Sequence, residues 1–169
     1  MKEKQLNERL KRDARINGLC DQWYNSWGTN NNMQQLIDKY LRGLDFVCKR
    51  DFPSLSFIKE NFSTEILHSN NIFIDEDIQL KNLKNICVLN GQCTGSILFD
   101  GYSICDVYVR HNCDITIDCS KFSKVFINVY GKSKVRVCQK DIASVYIYIH
   151  GECSTIETDG NVLIRKSQM

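Results

Sequence analysis

Cysteine and histidine are the residue types in this chain that could ligate a metal or act as nucleophiles. The 169 residues include nine cysteines and three histidines, His68, His111 and His150, which lie far apart. No two cysteines have the CxxC spacing of a zinc or redox site. An odd number of cysteines also does not suit a closed disulfide framework. We therefore predict that the cysteines are small buried apolar residues rather than metal ligands or disulfides.

Two other polar features receive structural rather than catalytic interpretations. His111 stands where most other copies of the repeat described below have glycine, so we predict a turn residue with an unusual backbone conformation. The acidic triplet at residues 75–77 could attract a cation, but a solvated turn is the simpler prediction. The chain has no phosphate-binding loop and no GxGxxG, HExxH or GxSxG motif. No cofactor, no small-molecule substrate and no enzymatic activity are predicted.

Composition restricts the class of protein. Apolar residues make up 43% and charged residues 25%, the balance of a folded domain. The net charge of +2 gives no strong electrostatic reason to bind nucleic acid. The first residues are charged and lack the apolar stretch of a signal peptide. No apolar run approaches the roughly 18 residues of a membrane span. We expect a cytoplasmic protein with no membrane partner.

Residues 1–62 have the periodicity of helices and are predicted to form a helical cap region. Glycines at positions 18, 28 and 43 are expected to end or interrupt these helices. Pro53 is expected to open the last one. The apolar residues that set the period are Leu6, Leu10 and Ala14, then Leu19, Cys20, Trp23 and Trp27, then Met33, Leu36, Ile37, Tyr40 and Leu41, then Leu44 and Val47, and finally Leu55, Ile58 and Phe62. The two tryptophans are predicted to be core residues.

From residue 63 onward apolar and polar residues alternate, and the sequence repeats itself when it is shifted by 20 residues. The columns of this repeat are Cys87, Val107, Ile127, Ile147; Leu89, Val109, Val129, Ile149; Gly91, His111, Gly131, Gly151; Cys93, Cys113, Ser133, Cys153; Gly95, Ile115, Val135, Thr155; Ile97, Ile117, Val137, Glu157; and Tyr102, Phe122, Ile142, Val162. A weaker earlier copy aligns Ile66, Asn70, Ile72 and Ile74 with the columns of Cys87, Gly91, Cys93 and Gly95.

A gapless 20-residue repeat of alternating residues predicts a β-solenoid, because each coil must stack on another to bury its apolar side. The predicted fold class is α+β: an N-terminal helical region, residues 1–62, followed by a short solenoid of four to five 20-residue coils, residues 63–169. Odd positions are expected to point inward.

The even positions then form two outer faces of different character. One carries mostly small polar and charged residues and is predicted to be solvated. The other concentrates large aromatic residues and is the candidate interaction face: Tyr108, Phe126, Tyr130, Tyr146, Tyr148 and His150. A monomer seldom leaves such a patch bare. The chain's own helices, a second copy or another macromolecule could each cover it.

The first helix is a second candidate site because it carries a local positive charge. Its basic residues are Lys4, Arg9, Lys11, Arg12 and Arg15. Such a helix could contact phosphates, although a solvated helix is the more common case.

The helical half resembles a known group in a few short motifs. These are residues 18–20 (Gly-Leu-Cys), Trp27, residues 35–38 (Gln-Leu-Ile-Asp) and residues 46–48 (Phe-Val-Cys), which precede a repetitive β tail. This pattern resembles small uncharacterised proteins carried by phages, prophages and mobile elements of gut bacteria. The resemblance implies a bacterial cytoplasmic setting and an accessory or virion-related role, and it carries over no catalytic residues.

Three functional hypotheses follow from the sequence. The leading one is a non-enzymatic binding or assembly module that acts through a protein partner or through self-association. The alternative is a regulatory or inhibitory protein that contacts nucleic acid or a host protein through the basic helix. The third, based on fold analogy alone, is a carbohydrate-active β-helix enzyme.

Overall fold

Two structural units make up the chain. The computed structural model describes residues 3–29, 32–151 and 154–167. Contacts divide it into a helical unit, Met1–Ser69, and a solenoid unit, Asn70–Met169. The predicted α+β class, with a helical region followed by a β-solenoid of about five turns, is confirmed. The boundary falls after Ser69 rather than after residue 62, because residues at the start of the predicted β segment form a further helix.

The described part of the helical unit contains six helices. They are α1 (Glu3–Ile16), α2 (Asp21–Asn25), α3 (Met33–Arg42), α4 (Leu44–Arg50), α5 (Leu55–Asn61) and α6 (Thr64–Ser69). The apolar stripe of α1 buries Leu6, Leu10 and Ala14, as its four-residue spacing predicts. Gly18 follows α1 with a φ of +91°, a conformation that favours glycine. Gly43 lies between α3 and α4, where the sequence predicted an interruption.

The predicted second helix is the part of this unit that differs from expectation. Helix α2 has five residues and buries none of them, so it has no continuous apolar face. Trp23 is 38% exposed, and its prediction as a core residue was wrong. Trp27 lies beyond the helix, where its indole Nε1 donates to Oδ1 of the buried Asn7 at 2.8 Å.

Eleven strands form the described part of the solenoid, and neighbouring strands within each sheet are parallel. They are β1 (Ile72–Ile74), β2 (Asp77–Lys81), β3 (Asn85–Asn90), β4 (Thr94–Phe99), β5 (Ile104–Val109), β6 (Asp114–Cys119), β7 (Lys124–Tyr130), β8 (Lys134–Gln139), β9 (Ser144–His150), β10 (Thr155–Asp159) and β11 (Val162–Lys166). Odd-numbered strands build one sheet, called sheet 1, in the order β1-β3-β5-β7-β9-β11. Even-numbered strands build sheet 2. Successive strands therefore alternate between the two sheets.

The 20-residue repeat is the true register of the central coils. Cys87 pairs with Val107, Val107 with Ile127, and Ile127 with Ile147. All four side chains are fully buried, and so is the ladder of Ile97 and Ile117 on sheet 2. The inward and outward assignment made from odd and even numbering therefore holds in these coils.

Residues with a left-handed backbone conformation turn the chain at one corner of each central coil. Gly91, His111 and Gly131 have φ values of +75°, +68° and +69°. Histidine tolerates this region better than bulkier or branched residues do. The His111 ring also accepts a hydrogen bond at Nδ1 from the Gly91 backbone N–H at 3.1 Å. The prediction of His111 as a turn residue is confirmed.

The first and last coils depart from the 20-residue spacing. Ile66 lies in α6, and Ile72 pairs with Val88 rather than joining the column of Cys93, so the predicted alignment of the first copy was wrong. At the other end Ile156, not Thr155, pairs with Val135. Val162 pairs with Val145 rather than joining the column of Ile142. Each shift places an apolar residue against the core, because Ile156 and Val162 both pack on it. Burial at the ends thus overrides strict periodicity.

Candidate functional site

Three neighbouring strands of sheet 1 bring the predicted interaction residues together. The set Tyr108, Phe126, Tyr130, Tyr146, Tyr148 and His150, called the aromatic face from here on, lies at outward positions of β5, β7 and β9. All six side chains are half-buried. The register sets Phe126 beside Tyr146 and Tyr130 beside His150. Sequence reasoning therefore placed these residues correctly on one surface.

The rings of the aromatic face stack along the solenoid. The Phe126 and Tyr146 centroids lie 5.1 Å apart with 15° between their planes. Tyr130 and His150 lie 4.3 Å apart and are within 5° of parallel. Parallel in-register pairing produces this geometry, because each outward side chain stands directly above its equivalent in the preceding coil. The ring faces are consequently turned toward each other, and the ring edges and polar tips point outward.

Polar groups within the face hold the rings in place. The His150 ring nitrogen Nε2 and the Asn128 side-chain oxygen are 3.2 Å apart, within hydrogen-bonding distance. The Lys124 ammonium lies 5.3 Å from the Phe126 centroid and 5.8 Å from that of Tyr146, close enough for cation–π attraction. These contacts restrict rotamers that would otherwise be free on a sheet surface.

A carboxylate stands at the side of the aromatic face. Asp106 pairs in register with Ile86 on one side and Phe126 on the other. Desolvation beside these apolar neighbours raises the pKa of its carboxyl group. At neutral pH the folded protein therefore disfavours the ionised carboxylate of Asp106.

Exposure along this outer side of sheet 1 changes from the first coils to the later ones. Val88, Asn90 and Arg110 are buried, whereas the aromatic face beyond them is half-exposed. The Arg110 guanidinium donates to the Asn90 side-chain oxygen at 3.0 Å. The Asn90 side-chain nitrogen has no hydrogen-bond partner within the described residues. Sequence analysis did not single out this buried pair, because only the aromatic members of this outer face and His150 were selected as candidates, and the polar residues in the same columns were not.

A second apolar surface follows the corner between sheet 2 and sheet 1. Tyr102, Ile104, Phe122 and Ile142, called the apolar ridge from here on, are 78%, 66%, 52% and 65% exposed. The Tyr102 and Phe122 rings stack at 4.7 Å with 1° between their planes. The sequence repeat did align Tyr102, Phe122 and Ile142, but alignment alone did not show that the column is on the surface.

The basic residues of α1 are mostly engaged inside the helical unit. Arg9 and Arg12 both pair with Asp13, at 3.6 and 3.0 Å. Arg15 pairs with Asp21 at 2.6 Å, and its guanidinium also donates to the Leu19 carbonyl at 2.9 Å.

Some of these basic side chains also lie over aromatic rings. The Lys11 ammonium lies 4.5 Å from the Tyr24 centroid, and the Arg9 guanidinium lies 5.0 Å from that of Phe57. Lys4 is exposed at the start of the helix. Arg9, Lys11, Arg12 and Arg15 therefore make structural contacts, and within the described part of α1 the arginines do not converge on one point.

The outer side of sheet 2 carries an ion-pair ladder beside a shallow depression. Arg136 lies 2.9 Å from Asp114 in β6 and 3.5 Å from Glu157 in β10. The depression, about 300 Å³, is lined in part by Arg136, Cys138, Glu157 and Asp159. All three members of the ladder are well exposed, so the network is solvated. This surface matches the polar face that alternation predicted.

Most described cysteines behave as core residues. Cys87, Cys93, Cys105, Cys113 and Cys119 are buried free thiols. Burial raises the pKa of Cys87, and it raises the pKa of Cys105 and of Cys119 to about 12. A hydrogen bond with Cys93, together with burial, raises the pKa of Cys113. The four thiols with raised pKa values are poor nucleophiles because the thiolate is disfavoured. Cys93 differs, because its hydrogen bond with Cys113 lowers the pKa of its thiol.

Three other cysteines are not fully buried, and a fourth is not among the described residues. Cys20 is exposed, so the burial prediction was wrong there, and Cys48 and Cys138 are partly exposed. Cys153 lies outside the described residues. Within the ranges that the structure describes, no group of three or more His, Cys, Asp or Glu side chains is arranged to hold a metal ion.

The acidic triplet is used in the corner of the first coil. Asp75 has a φ of +57°, and its carboxylate accepts from the Gln92 backbone N–H at 2.8 Å. Asp77 accepts from the Thr94 hydroxyl at 3.1 Å. The triplet is therefore a turn that links two coils through hydrogen bonds, in agreement with the sequence interpretation.

Neither the lengths of the helices nor the comparisons with known proteins add a functional assignment. Across the described helices, none combines the length and apolar character needed to cross a bilayer. Comparison of the chain with protein-family models, with curated proteins and with solved structures finds no match in any of the three.

Proposed function

We propose that this protein is a non-enzymatic binding module that recognises a protein partner through the aromatic face. One observation carries the proposal: six half-buried aromatic residues from three adjacent strands lie on one outer face of sheet 1. Tyrosine supplies four of the six. Tyrosine is enriched among the residues that dominate protein interfaces, because it combines apolar area with a polar tip.

The stacking geometry favours a protein over a sugar or a nucleic acid base. Sugars and bases bind aromatic residues through open ring faces. Here stacking covers one ring face of each of Phe126, Tyr146, Tyr130 and His150. What remains outward is a flat array of ring edges, hydroxyls and the Asn128 amide. A flat surface of mixed apolar and polar groups is typical of a protein interface.

The charge distribution supports the same choice. The six residues of the aromatic face include no arginine, Lys124 beside them lies over two rings, and Arg165 of β11 lies exposed beside Tyr148. Arg110, which the 20-residue repeat places in the column of Tyr130 and His150, is buried and bonded to Asn90. A nucleic acid interface needs several cations available to phosphates. A face with so few available cations suits a protein surface better.

The solenoid also favours binding without rearrangement. Each strand under the face is paired on both sides, as β7 is with β5 and β9. A surface that is already ordered loses little conformational entropy on association. The resemblance of the helical half to phage-borne and mobile-element proteins supports an accessory or virion-associated role in a bacterial cytoplasm.

The test compares the wild-type chain with variants of two opposite surfaces. Immobilised protein captures partners from extracts of the source cells, and each captured protein is purified and titrated by calorimetry. Tyr148→Ser and Phe126→Ser alter the aromatic face. Lys134→Ser, on the exposed outer side of sheet 2, is the matched control.

We expect one purified partner to bind the wild-type and Lys134→Ser proteins equally. Its Kd should rise at least tenfold for Tyr148→Ser and for Phe126→Ser, because buried aromatic residues are typical hot spots. Circular dichroism must show that all variants remain folded. Equal binding by face variants and wild type would contradict the proposal, as would the absence of any partner whose binding depends on these residues.

A further inference from the structure

The apolar ridge differs from the aromatic face in how far its side chains reach into solvent. All four of its residues are more than half exposed, whereas the aromatic face is half-buried. The stack of Tyr102 on Phe122 keeps these two rings in fixed positions despite their exposure. A cluster of exposed apolar side chains of this kind marks a surface that another molecule covers. The proposed function leaves this surface unexplained.

The ridge is narrow and projects from a corner of the solenoid. Its residues lie where the chain passes from a strand of sheet 2 to the next strand of sheet 1, in three consecutive coils. Coils lie about 4.8 Å apart, so the ridge is about 10 Å long. A specific protein interface buries about 800 Å² on each partner. Four residues on a corner supply only a small part of that area, whereas a lipid surface accepts a projecting ridge without a matching groove.

Positive charge is concentrated on the same side of the solenoid. The corners on this side are the loops from sheet 2 to sheet 1, each with the last and first residues of the strands that it joins. They carry five lysines and three aspartates, a net charge of +2: Lys81, Lys84, Lys121, Lys124 and Lys140, with Asp100, Asp141 and Asp159. Among the described residues of the opposite corners, three are basic and four are acidic, a net charge of −1.

Several of these lysines are available to an anionic surface. Asp100 is neutralised by Lys81 at 2.9 Å. Lys84, Lys121 and Lys140 are exposed, and they form no ion pair with any residue that the structure describes. Lys121 directly precedes Phe122 of the ridge, and Lys140 lies two positions before Ile142. Exposed apolar side chains therefore alternate with cations whose charge is not compensated.

We propose that the apolar ridge docks on the surface of an anionic lipid bilayer. Tyr102 and Phe122 enter the interfacial layer, where aromatic rings are favoured. Ile104 and Ile142 add apolar area, and the corner lysines face the anionic headgroups. Apolar burial and attraction to anionic lipid both strengthen this kind of binding.

The docking is peripheral and needs no spanning segment. It departs from the expectation of no membrane partner, which was based on the lack of an apolar run long enough to cross a bilayer. The ridge shares no residue with the aromatic face, so the inference does not depend on the proposed function.

The test measures how the full chain partitions onto vesicles by co-sedimentation at low salt. One set of vesicles is phosphatidylcholine alone, and the other is phosphatidylcholine and phosphatidylglycerol in equal parts. The partition coefficient should be about tenfold higher for the anionic vesicles, because each lysine near the surface adds attraction. It should fall as the salt concentration rises, because exposed charges are screened.

Variants separate the apolar contribution from the electrostatic one. Tyr102→Ser and Ile142→Ser should each lower the partition onto anionic vesicles about tenfold, because each removes an apolar side chain that the bilayer buries. Lys84→Glu and Lys140→Glu should each have a similar effect of about tenfold through charge.

Matched controls lie away from the ridge. Ile16→Ser removes an apolar side chain that is as exposed as Tyr102, and Lys132→Glu reverses an exposed charge at an opposite corner. Both controls should bind like the wild type. A wild-type chain that stays in the supernatant with anionic vesicles would overturn the proposal, as would equal binding to both kinds of vesicle or equal losses in the controls. Light scattering without lipid adds one more contrary outcome: a dimer that Ile142→Ser dissociates would assign the ridge to a second copy of the chain.

Discussion

The helical unit and the solenoid are held together by different kinds of contact. In the helical unit, single polar residues join distant segments. The side-chain oxygen of Asn7 accepts from Trp27 at 2.8 Å and from the Lys39 ammonium at 3.0 Å. Burial, with Arg42 and Lys11 nearby, lowers the pKa of Lys39. In the solenoid, the same contact recurs in successive coils, as the ladder of Val107, Ile127 and Ile147 does.

This difference explains why the two units tolerate change differently. A repeated ladder distributes stability over equivalent positions, and its weak points are the places where the repeat is broken. A unit built from individual contacts has weak points wherever one residue serves several partners. The predictions below test this contrast, from the largest expected effect to the smallest.

Gly95→Ala should destabilise the solenoid by about 3 kcal/mol, since overpacking and left-handed backbone strain add. Gly95 has a φ of +116°, and a Cβ there would lie 2.0 Å from the Ile78 carbonyl oxygen. Chemical denaturation followed by the β-sheet signal in circular dichroism measures the effect. Gly151→Ala is the control, because Gly151 has a similar φ of +112° and open space around it. Equal losses in the two variants would show that the close approach to Ile78 is unimportant.

Asn7→Ala should destabilise the helical unit by about 1–2 kcal/mol, because it leaves the Trp27 indole N–H and the Lys39 ammonium without their shared acceptor. Both tryptophans of the chain belong to this unit, so their fluorescence during urea unfolding reports on it alone. Arg12→Ala, at an exposed ion pair, should change the midpoint little. An unchanged fluorescence midpoint for Asn7→Ala would show that this shared acceptor does not stabilise the unit.

Asp106→Asn should raise the melting temperature slightly at pH 7. The pKa of Asp106 is raised by desolvation in the folded chain, so the folded state disfavours the carboxylate more than the unfolded state does. The penalty is complete above the folded pKa and disappears as the pH falls below the unfolded pKa. At about pH 3 the two proteins should therefore melt alike. The same difference at both pH values would assign the effect to packing instead of charge.

How far the sequence predicts the structure also follows the contrast between the units. Alternation and the 20-residue shift predict the solenoid and the inward ladders, because stacked coils transmit one register from strand to strand. They also predict which residues form the aromatic face. The shift fails at Ile72 and Ile156, where burial of an apolar side chain decides the register at an end.

Contacts between distant residues could not be predicted in the same way. Nothing in the spacing of Asn7, Trp27 and Lys39 shows that they meet, since tertiary packing and not periodicity brings them together. The buried pair of Arg110 and Asn90 was also missed, although its residues do belong to the repeat. Both residues follow the repeat and lie on the outer face that was expected to be covered, but alternation did not show at which end of the face the side chains are buried.

The shared register of the central coils has a consequence for how such a chain can change its length in evolution. Ile104 pairs with Lys124, and Lys124 pairs with Ser144, so each coil is added at the same offset. Duplication or loss of one whole coil leaves the neighbouring ladders aligned and shifts the ends by one strand spacing, about 4.8 Å. Insertion of any other number of residues must be absorbed at a corner. The coil is thus the heritable unit of length in this solenoid.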